Sequence, residues 1–208
     1  VQKMKKYSKV TPEGTKDLLF EECLINRMVE QKLSRVFVSR GFHEVVTPAM
    51  EFMDVFDPET SGIAPEIMYK MSDRRGRLVV MRPDSTMPIA RLAATRLQNE
   101  EKPLRLYYTQ RIYRNNPNLT GRSDEVLQSG VELLGASGKR ADLEAIATAV
   151  EALSHCTPDF RLELGHAGFF RAIAAQLPIS PEQHEDIRST IEAKNYAALN
   201  TLLDGLEQ

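Results

Sequence analysis

Tryptophan is absent from the 208 residues, and cysteine occurs only at Cys23 and Cys156. Two widely spaced thiols exclude a disulfide framework and a cysteine-based zinc site. Histidine is nearly as scarce: His43, His155, His166 and His184 are scattered, with no two at a ligand spacing, so no metal is expected. Long hydrophobic runs are missing too. No stretch approaches the roughly 18 apolar residues of a membrane span, and Val1 to Lys6 has no signal-peptide core, so a cytoplasmic location is expected. Charge of one sign is also lacking. A net charge of −2 and a pI near 6.2 give no global field to draw nucleic acid, which argues against it as a partner. What is present is 42% apolar content, enough to bury a sizeable core in one domain or in one domain with an appendage.

Apolar residues recur at three- and four-residue spacings in Ile25, Met28, Val29, Leu33, Val36 and Phe37. They predict an amphipathic helix over 21–40, stopped by Gly41. His43 to Thr47 reads as a strand closed by Pro48, which cannot donate to a ladder. Ile67–Met71 and Leu78–Met81 read as a hairpin around Ser72 to Arg77, whose arginines Arg74, Arg75 and Arg77 suit a solvated tip. A helix over Met87–Leu97 is expected to be capped by Ser85 or Thr86, with Pro88 in its first turn. Leu104–Arg114 and Glu125–Leu134 read as long antiparallel strands joined by a polar loop. Then come a helix over Lys139–His155, a strand over Phe160–Leu164 and a helix over Ala167–Gln176. Pro178, Ser180 and Pro181 mark a break before two short helical segments, the last at Tyr196–Leu206.

Strand alternation places Val126, Gln128, Gly130, Glu132 and Leu134 on one face of the later strand. Two polar side chains therefore flank a glycine, and glycine within a strand marks close approach of another group. Buried Gln and Glu need partners with donors or positive charge. Arg114 can hold a carboxylate bidentately, and Asp84 with Thr86, at the start of the nearby helix, can bind an ammonium. The constellation suits an amino acid. By spacing alone, an exposed strand face with a structural Arg–Glu pair fits equally well.

Thr15-Lys16-Asp17, Gly41 through Glu51, Arg82-Pro83-Asp84-Ser85-Thr86 and Gln128-Ser129-Gly130-Val131-Glu132 follow, in order, the pattern of histidyl-tRNA synthetases, which are class II aminoacyl-tRNA synthetases. Asp73 to Arg77, Arg82 to Arg91 and Leu164 to Arg171 more specifically resemble that family's non-catalytic relative, the regulatory subunit of ATP phosphoribosyltransferase. The resemblance covers Thr11 to about Gln176. It implies an α+β fold, an antiparallel sheet flanked by helices, with Gly41–Glu51 at a homodimer interface. It implies a partial synthetase-like core over 1–176 and, over 177–208, a helical segment that starts an insertion. The resemblance also puts Asp84, Thr86, Arg114, Gln128 and Glu132 at the amino-acid (histidine) positions. Asn116, Asp124 and Val126 stand where synthetases have a glutamate, an arginine and a phenylalanine for ATP. Losing the acceptor and the stacking surface weakens adenine recognition, and Asp for Arg turns attraction for a triphosphate into repulsion. Arg122 remains in the loop as an anion-binding candidate.

The family's later segments that read an imidazole ring do not occur before Gln208, so the chain is expected to be a fragment. The implied function is regulatory. The chain has no catalytic residue and no cofactor of its own, and it assembles with the short-form catalytic subunit of ATP phosphoribosyltransferase. Within that hetero-oligomer it takes part in feedback control of histidine biosynthesis by histidine. The alternatives are a catalytic fragment of histidyl-tRNA synthetase and a scaffold whose pocket is a relic.

Overall fold

The computed structural model describes residues 9–116, 122–176, 179–192 and 194–205. It divides into two compact units, Val1–Phe160 and Arg161–Gln208. Among the described residues no helix is long and apolar enough to cross a membrane.

In the first unit α1 (Phe20–Ser39) carries Glu21 and Glu22 in its first turn, where carboxylates complement the helix dipole. It stops as the periodicity predicts. Gly41 has φ +77, and the Phe42 N–H closes back on the Phe37 carbonyl at 3.0 Å. That turn drives Phe42 into a core cluster with Val36, Phe37, Tyr107 and Ala152. The strands follow as β1 (His43–Glu44), β2 (Met50–Phe52), β3 (Lys70–Ser72), β4 (Leu78–Met81), β5 (Leu104–Tyr113) and β6 (Glu125–Leu134). They form two three-stranded sheets, β1-β5-β6 and β2-β4-β3. The antiparallel β5–β6 pair is as expected, while β1 adds to β5 in parallel. The other α-helices of this unit are a single turn α2 (Pro58–Ser61), α3 (Thr86–Thr95) and α4 (Lys139–Ser154).

Side-chain alternation sorts β5 between two faces. Tyr107 faces the cluster built on α1 and α4, while Leu104, Leu106 and Tyr108 pack with Ile89 of α3. The sheet is thus sandwiched between α1 with α4 and the shorter α3. A third cluster, Phe56, Met68 and Val80, lies beneath the smaller sheet. The arginine-rich tip is solvated as expected, with Arg74, Arg75 and Arg77 all exposed. Arg77 bonds to Asp73 at 2.7 Å, and its guanidinium carbon stands 4.5 Å from the Phe52 ring centroid.

The second unit contains α5 (Ala167–Ala174), α6 (Pro181–Glu192) and α7 (Tyr196–Asp204). A reciprocal cap starts α6. The Ser180 N–H donates to Gln183 Oε1 at 2.8 Å, and the Gln183 N–H donates to Ser180 Oγ at 3.2 Å. One expectation fails: residues 160–164 form no strand, and Leu162 and Leu164 are exposed. Alternation alone supplies no hydrogen-bonding neighbour, and a strand needs one.

Candidate functional site

Arg82 builds the floor. It is 5% exposed, and its Nε donates to the Arg111 carbonyl at 2.7 Å while Nη1 donates to the Thr47 carbonyl at 2.6 Å. Burial lowers its pKa. Its backbone joins both sheets: the Arg82 N–H bonds the Ala49 carbonyl, and the Arg82 carbonyl accepts from the Tyr113 N–H. Arg82 thereby fixes where Pro83, Asp84, Ser85 and Thr86 leave the end of β4.

The start of α3 then reaches β6. Asp84 Oδ2 accepts from the Thr86 N–H at 2.9 Å. The expected Ser85 or Thr86 cap is therefore corrected, because Ser85 makes no side-chain cap bond and Asp84 satisfies an orphan donor of the first turn instead. The fully buried Ser85 Oγ has no hydrogen-bond partner among the described residues. Gln128 bridges the junction to β6. Its Nε2 donates to Asp84 Oδ1 at 2.9 Å, and its Oε1 accepts from the Ser85 N–H at 3.2 Å. The Thr86 hydroxyl donates to Glu132 Oε1 at 2.7 Å.

Asp84, Thr86, Gln128 and Glu132 are thus one hydrogen-bonded group. Arg114 joins at its edge: Nε donates to the Pro83 carbonyl at 2.8 Å, and Nη2 lies 3.6 Å from Asp84 Oδ1. Arg122 does not join them. It is exposed and, among the described residues, makes no hydrogen bond or ion pair with the group.

Tyr108 is the member that the sequence reading missed. It is paired directly across from Gly130, and a Cβ at that glycine would stand 2.7 Å from the Tyr108 hydroxyl oxygen. The phenol therefore needs the missing side chain. An aromatic directly opposite a strand glycine was the available signal.

Two carboxylates and a buried phenol crowd this face. Burial, reinforced by Glu132 and Asp84, pushes Tyr108 up to about 12. Burial also raises the Glu132 carboxyl above its usual range, with Asp84 adding to the effect and the Thr86 hydrogen bond opposing it. A cation bearing N–H donors would relieve this strain, while Arg114, 42% exposed, can receive an anionic group. The chemistry on offer is recognition of a small zwitterion.

Asp124, expected to repel a triphosphate, is itself engaged in hydrogen bonds. Its Oδ2 accepts from the Tyr69 hydroxyl at 2.5 Å, and its Oδ1 accepts from the Asn116 N–H at 3.3 Å. Asn116 Nδ2 in turn donates to the Arg114 carbonyl at 3.0 Å. Val126 is 45% exposed.

The histidyl-tRNA synthetase family model matches residues 14–208. The ATP phosphoribosyltransferase regulatory subunit of Clostridium novyi is 43% identical over 201 residues, which is 96% of this chain and 48% of that protein. That of Bacillus mycoides is 41% identical over 202 residues, 97% of this chain and 48% of the relative. The chain therefore spans about half the length of the curated relatives it matches. A solved structure from Bacillus halodurans, described as an ATP phosphoribosyltransferase regulatory subunit/histidyl-tRNA synthetase, superposes with a TM-score of 0.88 at 29% identity, covering 97% of this chain and 52% of that one. The fold is that of a class II aminoacyl-tRNA synthetase-like protein. Within that class, the chain belongs to the histidyl-tRNA synthetase family.

Proposed function

We propose that this chain is part of a non-catalytic regulatory subunit of ATP phosphoribosyltransferase. The whole protein assembles with the short-form catalytic subunit, is required for the first step of histidine biosynthesis, and takes part in feedback control by histidine. The observation that carries this reading is the pairing of a linked amino-acid group with a reassigned Asp124. Asp84, Thr86, Gln128 and Glu132 stay hydrogen-bonded on one sheet face, while Asp124 is engaged by Tyr69 and Asn116. The names of relatives about 40% identical support it independently.

Histidine fits the group by chemistry. Its ammonium is placed at Asp84 and Thr86, its carboxylate at Arg114, and an imidazole N–H at Glu132, whose ionised form is short of positive charge. Regulation requires histidine to bind two assembly states with different affinities. Val46 and Met50, apolar and exposed within residues 41–51, are the face on which a second copy docks to make a homodimer. The complex works in the cytoplasm.

The test is reconstitution. Full-length protein mixed with a short-form catalytic subunit from the same source should raise product formation, and histidine should suppress it. No activation by a folded partner rejects the reading. A synthetase reading is favoured by the double description of the Bacillus halodurans structure. It predicts histidine-dependent exchange of pyrophosphate into ATP, which the regulatory reading forbids.

A further inference from the structure

Asp124 sits where three segments distant in sequence meet. The Tyr69 hydroxyl and the Asn116 N–H bond its two carboxylate oxygens at 2.5 and 3.3 Å. Its backbone N–H donates to the Gly14 carbonyl at 2.7 Å, and its own carbonyl accepts from the Arg114 N–H at 2.8 Å. Ser123 Oγ donates to the same Gly14 carbonyl at 3.0 Å. Beside it, the Asn115 N–H is held by the Ile67 carbonyl at 2.8 Å. Gly14 has φ +75, and a Cβ there would lie 2.4 Å from Asp124 Cγ, so that segment is built to press against this carboxylate.

We propose that Asp124, through Tyr69 and Asn116, is a positioning residue for Arg114 and hence for the anionic end of the bound ligand. The proposal rests on the amino-acid reading of the site. Both backbone polar groups of Arg114 are held by this cluster, the N–H by Asp124 and the carbonyl by the Asn116 amide. Arg114 follows the last residue of β5, and its N–H bond to the Asp124 carbonyl is the last one that continues the β5–β6 pairing among the described residues. A side chain able to swing by an ångström serves a bidentate contact poorly. The cluster also gives the family's Asp-for-Arg exchange a constructive role, since an arginine cannot accept from Tyr69 and Asn116.

The test compares Asp124→Ala, Asp124→Asn and Tyr69→Phe in the full-length protein by amide exchange, phenolate absorbance and calorimetry with histidine. Asparagine keeps one acceptor, so it is the conservative rescue. Asp124→Ala and Tyr69→Phe should speed exchange at Asn115, Asn116 and Asp124 while central β5–β6 amides stay protected. Both should raise the histidine dissociation constant, Asp124→Ala by about tenfold. Asp124→Asn should stay within about twofold of wild type, yet let Tyr69 ionise nearer the ordinary tyrosine range. In wild type the adjacent carboxylate holds that phenol at about 12. Histidine binding that is unchanged in Asp124→Ala and Tyr69→Phe overturns the positioning role alone. A wild-type protein that does not bind histidine overturns the ligand reading and this role together, while exchange and absorbance still report whether the tie exists.

Discussion

The phenol of Tyr108 occupies the space left by the missing side chain of Gly130, its hydroxyl oxygen 2.7 Å and its Cζ 3.0 Å from the position a Cβ would take. The two residues are direct partners across the β5–β6 ladder. Tyr108 is 5% exposed and packed with Ile89, Leu104 and Leu106, so its ring has little room to retreat. Gly130→Ala should therefore destabilise the protein by about 1–3 kcal/mol, as overpacking does. Tyr108→Leu in the same chain should recover part of that loss. Urea unfolding of both single variants and the double variant measures the coupling, and additivity within about 0.5 kcal/mol would reject the contact as its cause.

Glu51 and Arg91 join β2 to α3 through two parallel hydrogen bonds of 2.9 and 2.6 Å. The Glu51 side chain is 7% exposed and Arg91 32%. Removing one partner of a pair this enclosed leaves a charge short of compensation, which costs more than the pair itself contributes. Glu51→Gln should lower stability by about 2 kcal/mol, with the thermal midpoint as readout. A change under about 0.5 kcal/mol would mean that water screens the pair as it does a surface bridge.

How much of this was legible in the sequence depends on whether the signal was periodic or relational. The α1 helix and its glycine stop, the long β5–β6 hairpin and the shared face of Gln128, Gly130 and Glu132 all follow from spacing along one segment. Spacing failed for residues 160–164, where alternation predicted a strand without supplying a partner edge. Nor does spacing reach the partner of Asp124, since Tyr69 lies 55 residues away. The cap of α3 was misplaced by one residue because Asp84, Ser85 and Thr86 are all competent acceptors, and only the backbone path selects among them.

Alkaline stability should report on Tyr108. Its pKa is raised to about 12 by burial and by Glu132 and Asp84. Because the folded value lies above the unfolded one, near 10, the phenol's contribution is complete below about pH 10. It is lost as pH rises through the folded value. Tyr108→Phe has no proton to lose, so stability plotted against pH should fall less steeply than wild type between about pH 10 and 12. Chemical denaturation at matched ionic strength is the measurement, and parallel curves would show that the hydroxyl is not held in its protonated form.

Glu132 sets binding against stability. Burial, with Asp84 adding, raises its folded pKa, so its protonated form supports the fold fully below the ordinary glutamate range. That support is lost as pH rises through the raised value, and at neutral pH the ionised carboxylate opposes folding. Glutamine keeps an oxygen for the Thr86 hydroxyl without the charge. Glu132→Gln should therefore stabilise the ligand-free protein at pH 7 by about 1 kcal/mol, roughly 2–4 °C in Tm. The gain should disappear in acid, where the wild-type carboxyl also becomes neutral. The same substitution should weaken histidine binding about tenfold or more, because the bound cation loses its charge partner. Differential scanning calorimetry at neutral and acid pH, paired with titration calorimetry, separates the two effects. A variant that is less stable at pH 7 would mean that the Thr86 hydrogen bond to the charged oxygen outweighs the cost of burying it.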